Sequence, residues 1–465
     1  MKTNKISIAV FVLLLTFYFI STGWAATYYV SSNGIDSNSG TTVDAPFKTI
    51  QFAVNIAVAG DSIFITPGNY NERVQTKNSG TNDNYISIGG SKSAIINNGF
   101  DIKHAYIKIN NLTIRGNGLS NNQYVLYFDG ASYCNISNNI IEYTMPTETA
   151  SNVGGIQLAA DTSHITINNN IIRGMRATTI VTNGSSSSHV FDNNIITGRQ
   201  DADGDMDVFR VYGHDHTISK NDVSNFSGGI REHLDFVQTF ATIEDPNRDS
   251  YNILIDSNFV HNLAGQIGDI QCILSPNIHD WTFRNNVFAN ITGTFAVGIP
   301  RVFFYNNTFY KVSITHPFSF RIIEGTHNGI EGVVKNNLFV NCADGRTDAG
   351  WYGKQADTVV DYNYVACGDS FMPPDEYFDE IHGIEGGDPK FVDISNNAFQ
   401  LKSDSPAKDS GATLTDFSVD KDGTTRPQGS AWDIGAYEYQ FAASHKLGVG
   451  SLIKNSEGPT IKWFE

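Results

Sequence analysis

Residues 134–142 read CNISNNIIE, and residues 165–173 read ITINNNIIR. In each, apolar and polar residues alternate for one short strand, asparagines interrupt, and a second apolar pair follows. Alternation with a period of two is the mark of a half-buried strand, and clustered Asn marks a bend. The same pattern recurs as YIKINNLTI (106–114), HVFDNNIIT (189–197), HTISKNDVS (216–224), NILIDSNFV (252–260), DWTFRNNVF (280–288), VFFYNNTFY (302–310), GVVKNNLFV (332–340) and VVDYNYVAC (359–367). Its pivots are Asn111, Asn139, Asn170, Asn194, Asn221, Asn258, Asn286, Asn307, Asn337 and Asn363, spaced 21 to 37 residues apart and mostly 24 to 31. A repeat of this length built only from strand and turn predicts a coil of parallel sheet, a β-solenoid. A propeller blade needs about 40 residues or more and hairpin turns. Asparagine at one angular position tolerates a left-handed bend and can bond to the Asn of the next coil.

Working outward, FKTIQFAVNIAV (47–58) is the one sustained amphipathic helical pattern of the mature chain, suited to covering the open N-terminal edge. Past Glu385 the repeat stops, and residues 386–440 read as an irregular C-terminal cap, with 441–465 a loose tail. At the other end, Lys2 and Lys5 precede an apolar run from Ile6 to Ile20 and a small-residue site at Gly23-Trp24-Ala25. Residues 1–25 therefore read as a secretory signal peptide, leaving 26–385 as the helix domain of an exported, secreted protein with no membrane span. Export permits disulfides, and Cys342 and Cys367, five and four residues past their pivots, are the pair that stacking would bring near.

The formal net charge of −17 argues against nucleic acid and anionic membrane as partners. It also sets a question for an acidic polymer as substrate, which a bound divalent cation would answer. DADGDMDVFRVYGHDHTISKN (201–221) is the densest acidic stretch. An EF-hand-like loop of Asp201, Asp203 and Asp205 fails at its sixth position, where Met206 replaces the required Gly. Stacking DMDVFRVYG (205–213), HLDFVQTFA (233–241) and IGDIQCILS (267–275) instead predicts an outward column of Asp207, Asp235 and Asp269, with Asp205 over His233 and Gln271 facing the same way. Such a column repels itself unless a cation binds or a pKa rises, and oxygen ligands suit calcium. A purely structural ion site and plain surface acidity are the alternatives. Arg231 and His233 precede Asp235, with Arg210, His214 and His216 one coil earlier, and His233, Arg231, Arg210 and His214 are the catalytic candidates. Strict alternation turns Arg210 inward, which would make it a structural ion-pair partner. The insertion ATIEDPNRDSY (241–251) would wall a groove. His104 and His189 read as bland turn residues, Trp281 as core, and Trp351 and Tyr352 as a platform for a sugar ring.

Residues 28–74, YYVSSNGIDSNSGTTVDAPFKTIQFAVNIAVAGDSIFITPGNYNERV, resemble the opening of right-handed parallel β-helix proteins that include pectate-lyase-like and alginate- or chondroitin-lyase-like enzymes. The 387–438 segment resembles the terminal region of exported β-helix proteins. The resemblance implies an all-β fold, a right-handed parallel β-helix, and a polysaccharide lyase acting as a monomer on an acidic, uronate-containing polysaccharide. Such a lyase removes the proton α to the uronate carboxylate and expels the glycosidic oxygen, with calcium or Arg neutralising the carboxylate. The family's base is typically Lys or Arg. No lysine stands beside the acidic column, so His233, then Arg231, is the expected base. The fold also carries hydrolases, which would use Asp207 and Asp235 as paired carboxylates, C5-epimerases, and non-catalytic carbohydrate-binding surface proteins.

Overall fold

The computed structural model describes residues 25–145, 152–199, 206–227, 234–240, 248–264, 266–271, 278–293, 295–299, 301–312, 318–320, 332–342, 358–366 and 380–440. Its strands run A, B, C, A, B, C along the chain and stack coil upon coil into three parallel sheets, a right-handed parallel β-helix. Among the described residues these sheets hold 14 (A), 13 (B) and 10 (C) strands. One coil shows the unit: Asn135–Ser137 lies in sheet A, Ile140–Glu142 in sheet B and Gly154–Leu158 in sheet C. Alternation sends Ile136, Ile141 and Ile156 inward, all fully buried. The bore is one continuous apolar core, and its rings stack from coil to coil, with Phe309 centred 5.1 Å from Phe288 and 4.8 Å from Phe339.

The bend between sheets A and B explains the asparagines, through two adjacent residues rather than one. The first is left-handed: Asn138, Asn169, Asn193, Asn285, Asn306 and Asn336 all have φ between 52° and 59°, a region Asn enters more cheaply than most residues. The second points inward. Asn170 donates from Nδ2 to the Ile136 carbonyl (2.8 Å) and to Asn194 Oδ1 (3.1 Å), while its own Oδ1 accepts from the Asn139 backbone N–H (2.9 Å) and Nδ2 (3.1 Å). The chain turns out of its sheet here, leaving a buried N–H and C=O without ladder partners, and the amide supplies both. This ladder runs unbroken from Asn139 to Asn363, where the Glu380 carboxylate takes the place of the next amide. Asn111 is not part of it. Asn111 occupies the left-handed position and Leu112 the inward one, one residue out from the sequence alignment.

The corner between sheets C and A repeats the device with imidazoles. His189 Nδ1 accepts the Ile165 N–H (3.2 Å) and His216 Nδ1 accepts the His189 N–H (3.1 Å), the two rings stacking at 4.8 Å. His189 is therefore a buried structural residue, not a surface turn residue. Trp281 is core as expected, fully buried with its indole N–H on the Ser250 carbonyl.

The expected N-terminal helix is Ile50–Ile56. Thr49 caps it by accepting the Phe52 N–H, Glu72 takes the Ile50 and Gln51 N–H groups, and Ile50, Ala53 and Val54 bury against the first coil. At the far end Ile384–Glu385 adds a last strand to sheet B. The remainder of the irregular C-terminal region does not continue the axis. It lies along the flank, with Phe391, Phe399, Leu401 and Ile434 packed on Val287, Tyr310, Leu338 and Tyr364 of sheet B. At the A–B corner Asn285, Asn306 and Asn336 donate to the carbonyls of Val419, Asp433 and Ala412. The expected signal peptide lies outside the described residues save Ala25, as do the tail and Cys367; Cys342 is fully buried.

Candidate active site

Across sheet C one register position holds dissimilar, mostly polar residues. In register across sheet C stand Gln75, Asp101, Tyr127, Gln157, Val181, Arg210, Gln238, Asp269, Ala296 and Ser319. Strand spacing places neighbours roughly 4.8 Å apart, so the column is a track along the helix axis.

Its centre is the sequence's acidic stretch, arranged otherwise than expected. Arg210 lies opposite Gln238, which sets Asp207 level with Asp235. The third coil is displaced: Asp235 pairs with Gln266, and Asp269 with Gln238. No column of three aspartates forms. The sequence alignment slipped three residues because QIGDIQ offers period-two alternation with Gly at an inward position, and little in it fixes the register. Asp207 and Asp235 are also fully buried rather than exposed. Arg210 is turned out, its side chain 21 % exposed, while Phe209 takes the inward place between Phe191 and Phe236. The ion pair expected of Arg210 is present, but as an outward group.

The four side chains form a chain of bonds. Arg210 donates from Nη2 (2.5 Å) and Nε (2.9 Å) to Asp207 Oδ2, and Nε also faces Gln238 Oε1 at 3.1 Å. Gln238 Nε2 in turn lies 3.3 Å from Asp235 Oδ2. A second guanidinium stands beside the first. Arg248 donates to the Tyr212 hydroxyl (2.9 Å) and lies over the rings of Tyr212 and Phe240, each at 4.9 Å, with Arg210 5.9 Å from Phe240. Burial above all pushes the Tyr212 phenol up to about 12, with Asp207 adding to the rise against Arg248 and Arg210. Tyr212 therefore stays a phenol at pH 7, its hydroxyl accepting from Arg248.

Calcium does not fit Asp207. A dication at Asp207 would sit against a guanidinium already 2.5 Å away, and among the described residues no group of three or more His, Cys, Asp or Glu is disposed to hold a metal. Asp205 lies outside the described residues; Asp269 is placed only by its register beside Gln238 and Ala296. His214 pairs with Tyr251 in sheet A, stacks on its ring at 4.8 Å and bonds Asp215 at 2.7 Å. It therefore belongs to the corner into sheet A. Arg231, His233, Trp351 and Tyr352 lie outside the described residues, and Gln271 is placed only opposite Phe240 and Gly298.

Sequence reading missed Gln238, Tyr212 and Arg248. Gln238 was visible, since the 28-residue step that aligns Asp207 with Asp235 aligns Arg210 with Gln238. Arg248 sits in the insertion before Tyr251, where no repeat gives it a position.

Comparison with solved structures agrees with the architecture. The chain is similar to a structure titled pectate lyase Pel9A, at 15% identity and a TM-score of 0.53, over 90% of this chain and 98% of that one. It is also similar to the PL6 family polysaccharide lyase Pedsa3628 from Pseudopedobacter saltans (13% identity, TM-score 0.47, 77% and 96% covered) and to a rhamnogalacturonan lyase (14%, 0.47, 80% and 92%). At 15% identity the likeness to the pectate lyase structure is one of fold. Among curated proteins it matches the uncharacterized protein YwoF of Bacillus subtilis (strain 168), 29% identical over 154 residues, or 32% of this chain and 29% of that protein. No family model matches the chain. Among the described residues no helix is long and apolar enough to cross a membrane.

Proposed function

We propose that the protein is an exported polysaccharide lyase that cleaves a uronate-containing polysaccharide by β-elimination along the sheet C track. The observation that carries this reading is the pair of guanidiniums, Arg210 and Arg248, braced by Asp207, Gln238 and Tyr212 at the centre of that track. Elimination needs the substrate carboxylate neutralised while negative charge builds on the adjacent carbon, and fixed guanidiniums supply that without reorganising. Bracing matters because a held fork loses less entropy on binding a carboxylate than a free one. It also explains how an anionic protein would hold an anionic polymer without calcium at Asp207.

In the proposed step a base takes the proton at C5, the C4–O bond breaks, a C4=C5 double bond forms, and the leaving oxygen is protonated. The base is assigned to His233, with Arg231 as second choice, both in the segment leading into the strand Asp235–Phe240. The hydrolase reading loses ground because Asp207 and Asp235 are buried and engaged by Arg210 and Gln238. Incubating the purified protein with polyuronates and glycosaminoglycans while following ultraviolet absorbance tests the proposal. New absorbance from the unsaturated product is expected, whereas reducing ends without absorbance would replace the lyase by a hydrolase.

A further inference from the structure

The N-terminal end of the same track opens into a cleft of about 470 Å³ lined by Arg73, Asp101, Tyr124, Tyr127, Gln123 and Gln157, with Asn98 and Leu119 at its side. Asp101, Tyr127 and Gln157 are column residues, so cleft and centre share one face. Gln157 is two strands from Arg210 and Asp101 four, or roughly 10 and 20 Å.

The cleft's chemistry differs from the centre's. Among the described residues Arg73 is the one cation lining it, and its guanidinium is paired with Asp101. Nε and Nη2 go to Asp101 Oδ1 (3.0 and 2.5 Å), and Nη1 goes to the carbonyls of Asn98 (2.8 Å) and Tyr124 (2.9 Å). The Arg73 and Asp101 charges offset each other, and a uronate carboxylate placed here would face the Asp101 carboxylate without the second guanidinium that Arg248 adds at the centre. What the cleft offers instead are two tyrosine side chains, the Gln123 and Gln157 amides, and an Asp101 whose Arg73 bonds both fall on Oδ1. Hydroxyls that both donate and accept, on a ring with an apolar face, match that set. Burial first, then Asp129 and Asp101, raises the Tyr127 phenol, so it remains a neutral hydrogen-bonding group.

We infer that this cleft is a subsite for an uncharged sugar residue, and that the polysaccharide carries neutral units on the side of the uronate held by the Asp101 end of the track. The inference rests on the lyase reading for the uronate and on the cleft alone for the neutral unit. The test is binding of the full chain to immobilised oligosaccharides of two to six units, one set neutral, one set all uronate and one set mixed. Neutral or mixed probes should bind, and Tyr127→Ala and Gln157→Leu should each weaken them tenfold or more, with an unchanged melting temperature showing the fold intact. Binding confined to all-uronate probes, or neutral binding indifferent to both substitutions, overturns the subsite. Neutral binding that responds to Tyr127 without any elimination product would sink the lyase reading and leave the subsite standing. Full elimination activity on an all-uronate polymer by the unsubstituted chain, with no neutral probe bound to it, would do the reverse.

Discussion

The A–B corner and the outward column of sheet C are built from the same stack of coils and obey opposite rules. At the corner one residue type recurs from Asn139 to Asn363, each making the same bonds to its neighbours. On sheet C no type recurs in adjacent strands: Asp101, Tyr127, Gln157, Val181, Arg210 and Gln238 follow one another. A site that only holds coils together meets the same physical problem at each turn and solves it the same way. A site that meets a ligand presents different chemistry at each height. Repetition therefore marks structure in this protein, and its loss marks the face on which the proposed site lies.

The sharpest way to break the comparison is to remove a rung. Asn258 donates to the Ile218 carbonyl and to Asn286 Oδ1, and accepts from the Asn221 N–H and amide. Asn258→Ala orphans several buried groups at about 1–3 kcal/mol each, so a loss of about 3 kcal/mol or more is expected in denaturant unfolding. Activity per folded molecule should not change.

Arg210→Lys should behave inversely. It keeps the charge over buried Asp207 but loses the fork, and turnover should fall about a hundredfold, or about 2.7 kcal/mol, with little change in stability. Retained turnover would move the site off this part of the track.

The imidazole corner gives a prediction in pH. Burial is the main cause that lowers His216 to about 4, and His189 falls well below the ordinary value for the same reason. Both are neutral when folded, so below about pH 6.5 the unfolded chain binds protons that the folded one does not. Stability is then full above that pH and is lost as pH falls toward 4, by up to about 1.4 kcal/mol per unit for each histidine. Melting temperatures from pH 7.5 to 5 should show the slope, and His216→Gln should reduce it. A flat profile would mean that these rings are not the neutral acceptors described.

The smallest effect belongs to the exposed left-handed residue beside the ladder. Asn138, with φ of 59°, should cost about 1 kcal/mol as Ala and close to nothing as Gly.

The same contrast governs what the sequence revealed. The coil, its bend and its core were legible because ten repeats state them redundantly, and one misplaced pivot at Asn111 did no harm. The site is stated once. Asp207 over Asp235 was legible because both coils read Asp, two apolar residues and a long polar one (Asp207-Val208-Phe209-Arg210 and Asp235-Phe236-Val237-Gln238), but the next coil follows the 241–251 insertion, and a three-residue slip there put Asp269 beside the wrong partner. Arg210 was turned the wrong way because alternation was carried back through residues that precede the strand, which starts at Phe209. Arg248 was invisible for a related reason, since an insertion has no register to read.

The flanking C-terminal segment has a mechanical consequence. A solenoid joined only turn to turn fails like a zipper, its terminal coil lifting away at the cost of one interface. Here the rungs near Ser257, Asn285, Asn306 and Asn336 are also tied, at the same corner, to one covalent strip between Ala412 and Gly435. Peeling a single coil must shear that strip from its neighbours as well. Load applied at the C-terminal end is thus shared across several turns, and this half of the helix should open as one cooperative block.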